Sequence, residues 1–317
     1  MNRGCVFRSI FVVLATLAAL VVAYTIRIAP RWLRVTRLTV SVPGLPDQWS
    51  GVRVAHLSDF HLGAKGMTSD HLHEARRVSL EFNPDIVALT GDYYDAGTRI
   101  PSEGLFADWP SGVPVLGVIG NHDHRPPGSI GRTIAELEDG GVQVLQNSAT
   151  TIRVKGREAW IVGVDDAHTY RADVRRAFHD LPQGETALLF LSHSPAPIRD
   201  VTPGMARVML AGHTHGGQVR LFPSGDVPFI RMLRKLRGAM PRPDGPVYRK
   251  WHWINGTVVI VSEGLGVSTF AVRFRTRPQL ILLELQRAPA DASEACDDID
   301  RYVQEVDPEP WLLRKLT

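Results

Sequence analysis

The sequence predicts an α/β fold with mixed sheets. Apolar runs of strand length recur through the body of the chain, helical patterns with one apolar face lie between several of them, and one hairpin breaks the parallel order. The runs are Val52–Leu57, Asp85–Thr90, Val113–Ile119, Trp160–Val164, Ala187–Leu191, Val208–Ala211, Val258–Val261 and Leu280–Leu285. Most are continuously apolar, as strands buried on both faces are. In the first helical stretch Leu72, Ala75, Val78 and Phe82 share a face, with Thr68 or Ser69 as cap. Ile130, Ile134 and Leu137 repeat the spacing and stop at Gly140 and Gly141, while Val174, Ala177, Phe178 and Leu181 stop at Pro182. Gly156 and Arg157, between Thr151–Val154 and Glu158–Val164, read as a hairpin turn, which makes part of a sheet antiparallel. No internal repeat or low-complexity block is evident.

The length of 317 residues suits one large enzyme domain with short extras. At 44% apolar and 22% charged residues the chain has ordinary globular usage, so wholesale disorder and collagen-like architecture are excluded. Two cysteines, Cys5 and Cys296, rule out a disulfide scaffold and a thiolate-rich zinc knuckle. The net charge of +3 hides an uneven distribution. Residues 1–40 contain no acid, against Arg3, Arg8, Arg27, Arg31, Arg34 and Arg37, whereas Asp291 to Glu309 is strongly acidic. Without a sustained basic face, nucleic acid is not an expected partner.

From Ser9 to Ile26 no charge occurs, and at about 1.5 Å per residue this run covers roughly 27 Å, enough for the hydrocarbon core of a bilayer. It is read as a single-pass anchor. Ala18, Ala19 and Ala23 leave a cleaved signal peptide as the alternative. Arg27, Arg31, Arg34 and Arg37 outnumber Arg3 and Arg8, which favours a cytoplasmic body at the cell membrane.

Five polar clusters each follow an apolar run: Ser58-Asp59-Phe60-His61, Thr90-Gly91-Asp92-Tyr93-Tyr94-Asp95, Gly120-Asn121-His122-Asp123, Ser192-His193 and Gly212-His213-Thr214-His215. The carboxyl edge of an open α/β sheet is where loops converge, so these clusters could meet in space. Carboxylate, imidazole and amide oxygen suit divalent ions such as Mn, Fe or Zn. So many candidate ligands are too many for one tetrahedral ion but suit two ions bridged by a carboxylate, an arrangement matched to phosphoester hydrolysis. Gly91, Gly120 and Gly212 are expected where the chain turns sharply off a strand.

The order Asp-x-His, Gly-Asp, Gly-Asn-His-Asp, His, Gly-His-x-His resembles the signature of the calcineurin-like metallophosphoesterases, from about Val52 to Leu285. Gly216-Gly217-Gln218-Val219-Arg220-Leu221, Ser262-Glu263-Gly264-Leu265-Gly266 and Arg273-Phe274 resemble its membrane-anchored bacterial branch. The resemblance implies a four-layer sandwich of two mixed sheets flanked by helices. It implies two divalent metal ions, with Asp59, His61 and His215 holding one, Asn121, His193 and His213 the other, and Asp92 bridging. It implies His122 as proton donor, with Asp95 orienting its imidazole, and Asp123 behind the ligands.

The expected organisation is an anchor and basic juxtamembrane segment over residues 1–40, a metallophosphoesterase domain over 50–287 and an acidic tail over 288–317. The expected activity is hydrolysis of a phosphodiester or pyrophosphate through a metal-bridging water. The substrate is expected to be lipid-linked or nucleotide-linked, UDP-2,3-diacylglucosamine being one option. The alternatives are an exported broad-specificity metallophosphatase and a non-catalytic anchored binding protein with structural metals. His56, His71, His73, His168, His179 and His252 lie outside the clusters and read as ordinary polar residues; His124 could touch substrate, and Asp165 and Asp166 read as caps or as support for the site. Pro228–Gly238, where Phe229, Ile230, Met232, Leu233 and Leu236 interleave with Arg231, Arg234, Lys235 and Arg237, reads either as a membrane-surface helix or as an ordinary surface helix. Trp311, Leu312 and Leu313 could dock on the body.

Overall fold

A computed structural model describes residues 3–64, 67–98, 104–107, 109–220, 247, 249–268, 271–289 and 299–306. The 228–238 stretch, Trp311 to Leu313 and most of the acidic tail lie outside the described residues. Helix α1, Arg3–Ala23, continues through a π turn at Tyr24–Ile28 and a 3₁₀ turn at Ala29–Arg31, where Pro30 ends the regular ladder. Phe7 to Arg31 is long and apolar enough to cross a membrane, and its most apolar 18-residue window is not buried in the fold, although Ala29 and Pro30 at the segment's end are.

The body contains two mixed sheets. The first has the order β13-β1-β12-β2-β3-β4-β5, formed by Val303–Val306, Arg34–Val42, Gln279–Arg287, Val52–Leu57, Ile86–Thr90, Val115–Val118 and Gln143–Val144. The second has the order β10-β11-β9-β8-β7-β6, formed by Lys250–Ile254, Thr257–Val261, Ala206–Ala211, Ala187–Leu191, Arg157–Gly163 and Ser148–Val154. Strands β2, β3, β4 and β5 run parallel, as do β7, β8, β9 and β11. The hairpin expected at Gly156 is β6–β7, paired from Ser148↔Gly163 to Val154↔Arg157.

Alternation along each strand builds the layers. Val54, Ile86, Leu116, Leu189, Val208 and Ile260 meet in a core between the sheets. Their neighbours Ala55, Leu57, Val87 and Leu89 pack outward on Leu72, Ala75 and Val78 of α2 (Ser69–Glu81) and Leu137 of α3 (Ile130–Asp139). Val162, Phe190 and Met209 do the same beneath Val174 and Ala177 of α4 (Val174–Ala177). Helix, sheet, sheet, helix is the four-layer order expected.

The domain ends differ from expectation. Residues 34–40, expected in a juxtamembrane segment, belong to β1, which pairs in parallel with β12 from Arg34↔Gln279 to Val42↔Arg287. Val303–Val306, expected in the tail, pairs antiparallel with β1. The first sheet therefore draws on chain outside 50–287. In β1 the apolar side chains Leu38, Val40 and Val42 are buried while Arg37, Thr39 and Ser41 are half-buried, a period of two that the neighbouring basic run conceals.

Candidate metal centre

The ends of β2, β3 and β4 in one sheet face the ends of β8 and β9 in the other, and every expected site residue lies on the five loops that leave these ends. Backbone bonds tie the loops together. Asp59 N–H donates to Gly91 O at 3.0 Å, His61 N–H to Asp92 O at 2.9 Å, and Gly212 N–H to His193 O at 2.8 Å. Asp59, His61, Asp92, His213 and His215 all adopt positive φ, between 47° and 67°. Such conformations cost non-glycine residues free energy and persist where the surroundings over-determine them.

The glycines act differently from expectation. Only Gly91 has positive φ, +83°; Gly120 and Gly212 matter because a Cβ there would overlap the Asp92 carboxylate and the Ser58–Asp59 side chains, respectively. Close approach, not turn geometry, requires glycine at these two positions.

The donor atoms converge. His61 Nε2 lies 3.1 Å from His215 Nε2 and 3.4 Å from Asp92 Oδ2, and His215 Nε2 lies 3.4 Å from Asp59 Oδ1. Across the cluster His193 Nε2 lies 3.3 Å from Asp92 Oδ2 and 3.1 Å from His213 Nδ1. Asp92 thus stands between Asp59, His61 and His215 on one side and His193 and His213 on the other, and both sets have donors close enough to share an ion. Tetrahedral ligands at about 2.1 Å from an ion stand about 3.4 Å apart, which matches these spacings.

Three further observations fit divalent metals to this donor set. Asn121 Oδ1 is buried without a hydrogen-bond partner. His193 Nδ1 lies 2.7 Å from Thr90 O, so Nδ1 donates and the Nε2 lone pair points at the cluster, as a ligating imidazole requires. Asp59 is aimed by Ser58 Oγ at 2.6 Å and by His213 N–H at 3.0 Å. Charge tells the same story. Burial pushes the Asp59 carboxyl up, and Asp92 beside it adds to the rise. Burial also opposes ionisation of Asp92, yet His193, His61 and His122 outweigh it and hold its carboxyl well below the usual range. His193 is raised well above its ordinary value because Asp92 and Asp59 outweigh its burial. The carboxylates thus favour positive charge beside His193 Nε2, which a bound cation would supply.

His122 stands beside the cluster. Its N–H donates to Asp92 Oδ1 at 2.8 Å, and its Nδ1 lies 3.1 Å from Asp95 Oδ1. The same Asp95 oxygen is 3.6 Å from His61 Nδ1, so Asp95 addresses two imidazoles, the nearer being His122. Burial lowers the His122 pKa, against the opposite pull of Asp92 and Asp95.

Behind the cluster, Asp123 accepts from the backbone N–H groups of Asp92, Tyr93 and Gly120, each at 2.9 Å, and so clamps the loops after β3 and β4. His124 pairs with Asp165 at 2.7 Å, and Asp166 accepts from Thr169 N–H. His56 and His71 bond Thr90 and Thr68. His168, expected to be an ordinary polar residue, stacks on His213 with ring centroids 3.7 Å apart. Only tertiary folding reveals that contact. Arg273 is fully buried and donates to the carbonyls of Glu263, Gly264, Gly266 and Arg277, with its Nη2 3.5 Å from His215 Nδ1. Burial lowers its pKa to about 10, which leaves it charged at neutral pH.

Known proteins are similar to this chain in sequence. The family model "Calcineurin-like phosphoesterase" matches residues 52–217. The uncharacterized metallophosphoesterase YkoQ of Bacillus subtilis is 29% identical over 282 residues, covering 85% of this chain and 98% of its own. Phosphodiesterase YaeI of Escherichia coli is 27% identical over 267 residues, covering 81% and 89%. A transmembrane protein with metallophosphoesterase domain from Danio rerio is 29% identical over 277 residues, covering 80% of this chain and 58% of its own. The matched span runs from the first residue of β2 past His215, across both halves of the donor cluster. The chain belongs to the calcineurin-like phosphoesterase family and is a metal-dependent phosphoester hydrolase.

Proposed function

We propose that the chain is a membrane-anchored phosphodiesterase or pyrophosphatase with two divalent metals, acting on a lipid-linked or nucleotide-linked substrate at the cytoplasmic membrane surface. The observation that carries this reading is the convergence of Asp59, His61, Asp92, His193, His213 and His215 around one shared carboxylate, with a buried, unpartnered Asn121 oxygen on the loop after β4. Asp59, His61 and His215 would hold one metal, Asn121, His193 and His213 the other, and Asp92 both. Bound there, the metals supply a water of lowered pKa and neutralise charge on the phosphoryl oxygens. Asp92 also fixes the His122 backbone through its N–H. His122 gives a proton from Nε2 to the leaving oxygen, and Asp95 holds Nδ1 and stabilises the imidazolium this requires. The basic residues after α1 favour the cytoplasmic side. The name phosphodiesterase of the E. coli relative supports a diester, and a relative named a transmembrane protein supports the anchor.

The test is His122→Ala in the full chain, assayed on bis-4-nitrophenyl phosphate with added Mn²⁺ and counted for metal. Turnover falls by about 10²-fold or more while two metals per chain remain. Undiminished turnover with both metals bound removes His122 from the reaction. A lipid and nucleotide screen with the same variant as control then identifies the substrate.

A further inference from the structure

A cleft of about 60 Å³ opens between the edges of the two sheets, where β1 and β12 face β10 and β11. Among the described residues, its charged lining consists of Arg34, Arg220, Arg249 and Lys250, opposed by Glu263 and Glu305. Four cations against two carboxylates leave an anion-attracting hollow, and one carboxylate is already engaged: Arg34 Nη2 lies 3.1 Å from Glu263 Oε2. Arg34 Nε is buried with no hydrogen-bond partner. A buried guanidinium donor left unpaired is costly, and a planar fork of this kind matches phosphate oxygens. One water needs about 10–15 Å³ of such volume, so the cleft holds about four or five heavy atoms, the size of a phosphate group.

The hollow is separate from the metal centre. None of the expected metal ligands lines it, and the Glu263–Gly264 segment stands between them: Glu263 faces the cleft, while Gly264 packs on the Asp59 side chain. Its position relative to the anchor is defined. Arg34 follows the apolar helical stretch, which ends at Arg31, by three residues, at most about 10 Å of extended chain. The charge-free run ends at Ile26, so five more helical residues and three extended ones put Arg34 within about 18 Å of the hydrocarbon edge, close to a headgroup layer about 5–8 Å thick, when the helix spans. Arg273 N–H donates to Thr25 O at 3.1 Å, and Arg277 donates to Trp32 O and Leu33 O, which fixes the body against the end of the helix.

We propose that this cleft is a second anion site that binds a phosphate group at the membrane surface through Arg34, Arg249 and Lys250. The phosphate belongs to an anionic phospholipid headgroup or is free in solution, and the two sources are separable. The probe for the first is full-length protein in dodecyl maltoside micelles with equal amounts of dioleoylphosphatidylglycerol and dioleoylphosphatidylcholine, read by native mass spectrometry. The probe for the second is the rise in melting temperature caused by inorganic phosphate. Both are repeated with Arg249→Gln/Lys250→Gln and with Lys250→Gln alone, which changes only an exposed side chain. Each charge-assisted hydrogen bond lost weakens binding by about tenfold or more. Loss of the phosphatidylglycerol preference in the variants assigns the cleft to a lipid headgroup. Loss of part of the phosphate stabilisation, with lipid preference intact, assigns it to free phosphate. If the variants retain both the lipid preference and the full phosphate stabilisation, the site does not exist.

Discussion

His56 carries the clearest consequence at the scale of one residue. It shares the inner face of β2 with Val54, is fully buried, and its Nε2 meets Thr90 Oγ1 at 2.9 Å while Nδ1 has no partner. Burial lowers its pKa from 6.5 to about 3. The sign follows from linkage: below about pH 6.5 the unfolded chain takes up a proton that the folded chain refuses until about pH 3. Stability contributed by neutral His56 is therefore complete above pH 6.5 and drains away as pH falls toward 3, at up to about 1.4 kcal/mol per pH unit. His56→Leu should cost about 1–3 kcal/mol at pH 8, because Thr90 loses its partner, and should flatten the acid side of the stability curve. Urea unfolding of both proteins at pH 8 and pH 5 measures this; equal losses on acidification would assign the acid sensitivity elsewhere.

Among the elements, the segment from Ser262 to Arg277 links the anchor to the metal centre. The Arg273 backbone bonds Thr25 at the end of the helix, while its guanidinium gathers the carbonyls of Glu263, Gly264 and Gly266 under the Asp59 loop. Arg273→Lys keeps the charge but cannot reach four carbonyls from one ammonium. The variant should lose about 3 kcal/mol, a fall of roughly 6–12 °C in melting temperature, and should bind metal more weakly. Wild-type melting and metal content in that variant would show that Arg273 supports neither. None of this was readable beforehand except as a dipeptide, Arg273-Phe274, because a buried arginine is defined by carbonyls distant in sequence. The continuous apolar runs, by contrast, announced β2, β3, β8 and β9 to within two residues, since burial on both faces leaves no polar alternation to confuse them. Asp59, Asp92, Asn121, His193 and His213 were legible because each directly follows such a run. The same logic failed for β1, whose alternation sits inside a basic stretch, for the two-residue β5 and for the four-residue β13. His168 was missed because its contact with His213 spans two loops of unrelated sequence.

For the whole molecule, the decisive feature is that two sheets direct their carboxyl edges at one volume. Asp59, His61, Asp92, His193 and His215 are nearly inaccessible to solvent there, so their charges are answered by each other, by neighbours such as His122 and Arg273, or by bound cations, and not by water. Without cations the carboxylates of Asp59 and Asp92, on neighbouring loops of the first sheet, repel, and positive charge favoured at His193 on the second sheet compensates in part. Metal binding should consequently stabilise the fold and not only the reaction. At free metal a thousandfold above the dissociation constant, one site contributes about 4 kcal/mol, or roughly 8–16 °C in melting temperature. Full-length protein treated with a chelator should melt lower by that order, and readdition of Mn²⁺ or Zn²⁺ should restore it. Asp92→Asn should melt near the chelated protein and respond little to either ion, because the shared carboxylate is weakened for both sets at once. An Asp92→Asn protein that still gains the full stabilisation from added metal would mean that Asp92 bridges nothing, and that the two halves of the cluster work independently.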